Sequence, residues 1–275
     1  MGRGRVTKEE QERRIRFLLE FIFIFRYATR HQLFEFGRSI IGLANPRWLI
    51  DYACKRGLVR SYPAPGLKVK IYYLTTQGKD FIQGSRIKWP YHFDRRLAAL
   101  NAVTRQSLLV DVYLMCSRYL DAQLTDWKSK WLTDFGKHRR ETLLPDSVFE
   151  LPCGIKISVT IELHYKRIEY FKKMLDIYRY DIEKAYRYHA VLIVASPARY
   201  YESLKRRLAR ISPYFCPRGI IFTNPEILKQ GLCFYNNEAM ELNDAVELVR
   251  AKGLVVPQQG NIGANRARPY IRIGH

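Results

Sequence analysis

The spacing of apolar residues along the chain constrains its fold more than any other sequence feature. In the first 57 residues apolar side chains recur every three or four positions in three segments, which predicts three helices. Residues suited to helix caps precede these segments, and Gly37 and Gly57 follow the second and third as predicted stops. The period then becomes two on either side of a Pro-Ala-Pro-Gly turn, which predicts a β-hairpin. The expected helices cover 7–27, 29–36 and 45–57, and the expected strands cover 58–62 and 68–74.

A second hairpin is predicted near the middle of the chain, with strands over 143–151 and 155–163 around a Pro-Cys-Gly turn. Because side chains alternate along a strand, Glu162 and His164 are expected on the same face. Two basic helices and two apolar strands are expected to follow in alternation, and the continuous apolar run of the first strand predicts cover on both faces. These four segments are 165–186, 189–196, 198–211 and 219–223.

These patterns predict an α+β or α/β protein with four regions. The three helices and the first hairpin form one module, a helical connector follows, and the second hairpin opens a mixed-sheet core. The last region is rich in Gln, Gly, Asn and Arg, which is typical of a flexible basic tail. The expected boundaries are 1–85, 86–142, 143–256 and 257–275.

The chain is strongly basic, with 47 Lys and Arg against 26 Asp and Glu and a net charge of +21. Residues 1–85 carry 16 basic and 7 acidic side chains, and residues 164–210 carry 12 and 5. Such an excess predicts a polyanionic partner, because neutralising phosphates releases counterions and favours binding. The alternative is a charged surface that only keeps the protein soluble.

Several classes of protein are excluded or disfavoured. The longest apolar stretch, 18–25, is far too short for a membrane helix, and the charged N-terminus does not resemble a secretion signal, so a cytoplasmic location is expected. Five cysteines without a CxxC pair argue against disulfides and zinc. Phosphate-binding loops and GxSxG or GxGxxG motifs are absent, and scattered histidines argue against a tyrosine relaxase.

The second hairpin carries two carboxylates of interest. Asp146 opens one strand and Glu162 closes the other, so antiparallel pairing is expected to bring them to one edge of the sheet. Two carboxylates there can bind Mg²⁺ or Mn²⁺, which polarise a phosphodiester and activate water. His164 completes the expected ligand set or transfers a proton, and Lys166 stabilises phosphate charge if the chain stays extended. The alternative is structural: Asp146 serves the turn, and Glu162 pairs with Arg167 or a lysine of the following helix.

The first module resembles winged-helix transcription factors, through "CKRGLV" at the end of its third helix and "YYLTTQGKDFI" after its second strand. In that family the third helix enters the major groove of duplex DNA and the wing contacts the backbone. The resemblance places Arg47, Lys55 and Arg56 on or near the reading helix, and Lys68 and Lys70 on the wing. A module used only for protein contacts is the alternative.

The Pro-Asp before one strand and the Ile-Glu-Leu-His that closes the next resemble the PD-(D/E)xK phosphodiesterases. Together with the preceding module, they resemble replication-relaxation proteins and the MobC-class conjugative relaxases of mobile elements. The resemblance implies a restriction-endonuclease-like core with metal ligands at Asp146, Glu162 and His164. It departs at His164, where the motif has lysine, and degenerate members of this fold bind DNA without cutting it. The basic helix would add DNA contacts through Arg167, Lys172 and Lys173.

Three functions follow from these observations. The first is a metal-dependent nickase, or relaxase, that acts at a transfer or replication origin in plasmid mobilisation. The second is a non-catalytic regulator of replication or transcription with a degenerate nuclease-like core. The third is an RNA-processing or DNA-packaging factor. The expected partners are duplex DNA, single-stranded DNA near a cut, and a second copy or relaxosome accessory proteins, with no membrane.

Overall fold

A computed structural model of the chain describes residues 7–64, 68–83, 100–130, 145–164, 167–211, 219–236 and 238–251. The helices are α1 (Lys8–Phe25), α2 (Arg30–Ser39), α3 (Arg47–Lys55), α4 (Thr76–Gln83), α5 (Leu100–Leu120), α6 (Ile168–Glu183), α7 (Ala198–Ile211), α8 (Pro225–Leu228) and α9 (Leu242–Ala251). The strands are β1 (Tyr27–Thr29), β2 (Val59–Pro63), β3 (Lys70–Leu74), β4 (Lys128–Ser129), β5 (Ser147–Glu150), β6 (Lys156–Glu162), β7 (Ala190–Ala195), β8 (Ile220–Thr223), β9 (Leu232–Tyr235) and β10 (Glu238–Glu241).

The first module contains the three predicted helices and the predicted hairpin. Thr7 caps α1 by accepting a hydrogen bond from the Glu10 amide, and Thr29 forms a capping box with Gln32 at the start of α2. A short strand that the sequence analysis did not predict, β1, pairs antiparallel with β3, so the sheet order is β1-β3-β2. Local capping therefore sets the starts of α1 and α2, whereas α3 has Pro46 at its N-cap and no side-chain cap at that residue.

The predicted stop of the second helix at Gly37 is wrong, because α2 continues to Ser39. Gly37 is buried within the helix, and a Cβ atom there would lie 2.5 Å from the Cβ of Pro46. Glycine at this position therefore permits a close approach of the α2 backbone to the start of α3.

The second half of the chain forms a seven-stranded mixed sheet with helices on both faces. Its order is β10-β9-β8-β7-β6-β5-β4. The predicted hairpin is confirmed, since β5 and β6 pair antiparallel with Ser147 opposite Val159. Strands β6, β7 and β8 are parallel to one another, and β9 and β10 extend the sheet antiparallel. The protein is thus of mixed α+β architecture, as predicted.

One face of this sheet shares a continuous apolar core with the first module. Ile157, Val159 and Ile161 of β6 belong to the same buried cluster as residues of α1, α2, α3 and α5. Trp127 lies at the junction and its ring is stacked on Phe149 of β5 at 4.7 Å and contacts Phe25 of α1 at 5.8 Å. Helix α5, within the expected connector, therefore packs against both the first module and the sheet.

The opposite face of the sheet is covered by α6 and α7, which form a separate apolar core. Phe171, Leu175 and Tyr178 of α6 pack in it with Val191 and Ile193 of β7. The β7 strand is buried along its whole length, as its apolar run predicts. Within the described residues, no helix is long and apolar enough to cross a membrane.

Candidate nucleic-acid interface and carboxylate site

Helix α3 presents a polar face to solvent because its apolar face is fixed in the core. Leu49, Ile50 and Ala53 are buried. On the other side, Arg47 and Lys55 are exposed about two turns apart, and Trp48 is 36% exposed. A helix held by three core residues in this way has the rigidity that recognition of a fixed partner requires.

A carboxylate lies among the basic residues of this face. The Nη2 atom of Arg30, at the start of α2, donates to Oδ1 of Asp51 at 2.9 Å. The Nε atom of Arg47 lies 3.6 Å from Oδ2 of the same carboxylate. Next to this group, Arg56 donates to the Tyr52 hydroxyl at 3.2 Å and its guanidinium lies 5.7 Å from the centre of that ring.

The hairpin continues the basic surface. Lys68 and Lys70 are exposed, as is Arg60 on the neighbouring strand β2. Residues 47–79 contain seven Lys or Arg and a single acidic residue, Asp51. We call the exposed side chains of α3, of the β2–β3 hairpin, and of Arg30 and Arg56 the α3–hairpin surface.

The structure therefore places five predicted DNA-binding residues in the elements that form one surface. Two further cations, Arg30 and Arg60, were missed by the sequence analysis. Arg60 lies within the predicted strand 58–62, where alternation alone could have marked it as exposed. Arg30 had no such signal, because its position beside α3 depends on tertiary packing. The five predicted residues are Arg47, Lys55, Arg56, Lys68 and Lys70.

The predicted basic residues of α6 lie on a different surface. Arg167, Lys172 and Lys173 are exposed, but α6 packs on the sheet face opposite the one that contacts α5 and the first module. Residues 167–187 contain six Lys or Arg and four acidic residues. Two of the arginines are in ion pairs, Arg179 with Glu183 at 3.4 Å and Arg187 with Asp181 at 3.3 Å. The α6 surface is therefore partly neutralised by its own acids.

Asp146 is held by hydrogen bonds within the protein. It is 8% exposed, and its Oδ2 atom accepts from the amide of Ile161 at 2.8 Å. Both of its oxygens also accept from Nη1 of Arg105 on α5, each at 3.1 Å. The carboxylate thus joins the start of β5 to the end of β6 and to α5.

Glu162 is 3% exposed and lies on the face of β6 that α6 covers. Two positions before it, the Thr160 hydroxyl lies 2.8 Å from the hydroxyl of Tyr178 on α6. Burial raises the pKa of Tyr178 well above its ordinary value, and the negative charges of Glu162 and Asp146 raise it further. Both carboxylates therefore lie close enough to act electrostatically on the same phenol.

The structure describes three of the four residues of the predicted metal and catalytic site. His164 is exposed two residues beyond Glu162, and Lys166 lies outside the described residues. In the part of the chain that the structure describes, no three His, Cys, Asp or Glu side chains are grouped as metal ligands. The Arg105 guanidinium would also repel a divalent ion bound at Asp146. The contacts of Asp146 are those of a structural carboxylate, and a Mg²⁺ or Mn²⁺ site at Asp146, Glu162 and His164 stays a prediction.

No family model, no curated protein and no solved structure matches the chain.

Proposed function

We propose that the protein binds duplex DNA through the α3–hairpin surface and that its seven-stranded sheet is a non-catalytic scaffold. The observation that carries this proposal is the uneven charge of the surface. The surface carries one acid, Asp51, which is already paired with two arginines, and seven basic residues: Arg30, Arg47, Lys55, Arg56, Arg60, Lys68 and Lys70. An excess of cations on one face is the electrostatic signature of a nucleic-acid interface.

The shape of the first module supports duplex rather than single-stranded DNA. An α-helix fits the major groove of B-DNA, and a hairpin beside it can follow the phosphate backbone. Helix α3 is anchored by its apolar face and leaves the opposite face exposed, and the hairpin that follows it presents Lys68 and Lys70. The order of three helices and a hairpin is also the one on which the resemblance to winged-helix factors rests.

The scaffold role rests on the contacts of Asp146 and on the shared core. Arg105 and the Ile161 amide occupy the carboxylate that the PD-(D/E)xK resemblance assigns to a metal. The same sheet face is joined to the first module through Trp127. Together with the resemblance to mobile-element proteins, these contacts support a replication or transcription regulator whose nuclease-like core does not cut.

Binding is tested with a fluorescently labelled duplex, followed by anisotropy over a range of salt concentrations. We expect tight binding at about 50 mM salt that weakens steeply by 200 mM, because several phosphates are neutralised. A single strand of the same sequence and heparin serve as competitors. Failure to bind the duplex at low salt would overturn the proposal, as would equal displacement by heparin and by unlabelled duplex.

DNA nicking is the second candidate, and it is favoured by one observation: Asp146 accepts a hydrogen bond from the amide of Ile161, the residue that precedes the buried Glu162 on β6. Supercoiled plasmid carrying the preferred binding sequence is incubated with the protein and Mn²⁺. The scaffold role predicts that the plasmid remains supercoiled while the protein binds it. Open circles that disappear with Glu162→Gln would instead establish cleavage.

A further inference from the structure

Asp51 is an unexpected residue on a surface that binds a polyanion. It is the single acid between Arg47 and Lys79, and its side chain is 42% exposed. A negative charge in this position opposes phosphate binding. Exposed ion pairs of this kind contribute little to stability, on the order of 0–1 kcal/mol. Neither a gain in affinity for DNA nor a gain in folding stability therefore explains why an acidic residue occupies position 51.

The geometry gives Asp51 a different role. Its Oδ1 atom accepts from Arg30, which also donates to the Tyr72 hydroxyl at 3.5 Å, so Arg30 is held from two sides. Its Oδ2 atom lies next to Nε of Arg47, one helical turn away. Because Arg47 uses Nε for this contact, its two terminal amino groups remain available for a ligand. The Arg47 side chain is 73% exposed.

We propose that Asp51, supported by Arg30, is a positioning residue that orients the guanidinium of Arg47 to read guanine in the major groove. This inference rests on the proposed function and names the sequence-reading element within it. The planar fork of arginine matches the O6 and N7 acceptors of guanine, and no other base offers that pair. Holding the fork in one orientation reduces the entropy lost when the contact forms. Asp51 thus lowers the affinity for DNA of any sequence and increases the discrimination between sequences.

The experiment begins with selection of preferred duplexes from a random pool by the wild-type protein. Affinity is then measured for the selected duplex and for a scrambled one. In Asp51→Asn we expect unchanged or tighter binding to the scrambled duplex, because a negative charge is lost. We expect the ratio of the two affinities to fall about tenfold, since one bidentate base contact is no longer fixed. Asp51→Glu, which keeps the charge, should recover part of that ratio.

Glu247→Gln is the matched control, because Glu247 is an exposed acid paired with Arg250 at 3.5 Å on α9, outside the α3–hairpin surface. It should leave the ratio unchanged. A second readout replaces each guanine of the selected site in turn with 7-deazaguanine, which lacks the N7 acceptor. One replacement should weaken binding of the wild type and have little effect on Arg47→Ala.

The inference is overturned if selection yields no preferred sequence, if Asp51→Asn keeps the wild-type ratio, or if the 7-deazaguanine and Arg47→Ala effects add independently. Absence of any duplex binding by the wild-type protein would instead overturn the proposed function.

Discussion

The α3–hairpin surface and the α6 surface carry similar numbers of cations but differ in how these are balanced. The α3–hairpin surface, with Arg30 included, has seven basic side chains and one acid, whereas residues 167–187 have six and four. Two arginines of the second segment are paired with acids on or next to α6. The two surfaces also belong to opposite faces of the sheet. We therefore expect DNA contacts at the α3–hairpin surface, where the cations are presented with a single acid, rather than at the α6 surface.

The largest effect is expected from breaking the core that joins the first module to the sheet. Trp127→Ala removes a ring that contacts α1, α5 and β5, and should lower the free energy of unfolding by about 3–5 kcal/mol. Because the core is continuous, unfolding followed by circular dichroism should remain one transition and DNA binding should be lost with it.

Trp127→Phe is the control, since it keeps a ring and removes an indole N–H that has no hydrogen-bond partner among the described residues. Trp127→Phe should lower the free energy of unfolding much less than Trp127→Ala. Two separate transitions in the wild-type protein, one for the module and one for the sheet, would contradict a shared core.

The next prediction tests the two surfaces with the same change of charge. Lys68→Ala with Lys70→Ala should weaken duplex binding about tenfold and reduce the slope of log affinity against log salt by about 2, because two phosphate contacts are lost. Lys172→Ala with Lys173→Ala removes the same charge from α6 and should change both quantities much less. Equal effects of the two double variants, measured by anisotropy, would show that the α6 surface also binds the duplex.

A smaller effect on DNA affinity is expected when a single arginine is replaced, and two arginines with similar surroundings allow the two surfaces to be compared. Arg47 and Arg179 are both exposed and both lie near an acid four residues along a helix, at 3.6 and 3.4 Å. Arg47→Ala should weaken binding to the preferred duplex about tenfold or less, since one base contact is lost. Arg179→Ala should bind like the wild type. A larger loss for Arg179→Ala would reverse the assignment of the two surfaces.

The smallest effect is expected on folding stability, from a change in the polar contact between the first module and α5. Gln32 is buried and donates to Oδ1 of Asp111 at 2.7 Å. Burial raises the pKa of the Asp111 carboxyl above its ordinary value, although this hydrogen bond opposes the shift. The folded state therefore binds the proton more tightly than the unfolded state. The resulting contribution to stability is fully present below the ordinary pKa and is lost as the pH rises through the raised one.

Asp111→Asn keeps an oxygen acceptor for Gln32 and removes the ionisation. It should raise the melting temperature slightly at neutral pH and remove part of the decline in stability with rising pH. Thermal unfolding at neutral pH measures the first effect, and urea unfolding between pH 4 and pH 8 measures the second. A variant less stable than the wild type at neutral pH would show that the ionised carboxyl is favourable.

The elements that depend on local sequence could be predicted, and those that depend on distant contacts could not. Thr7 and Thr29 mark helix starts because caps act within three residues, and the second hairpin follows from alternation. The short strands β1 and β10 have too few residues to show a period. Gly37 was misread because its role depends on Pro46, which lies in the next segment.

The same limit applies to the candidate sites. The exposed cations of α3 and the hairpin could be found from their spacing and charge. The ion pairs could not, because Arg30 lies 21 residues from Asp51 and Arg105 lies 41 residues from Asp146. The second pair matters most for function, since it occupies the carboxylate on which the expected metal site depends.

Hydrogen–deuterium exchange of the 275-residue chain, with and without its selected duplex, measures directly which surface the DNA covers. We expect slower exchange over α3 and the β2–β3 hairpin in the complex, with little change over α6 and α7. Protection of α6 and α7 without protection of α3 would contradict the account.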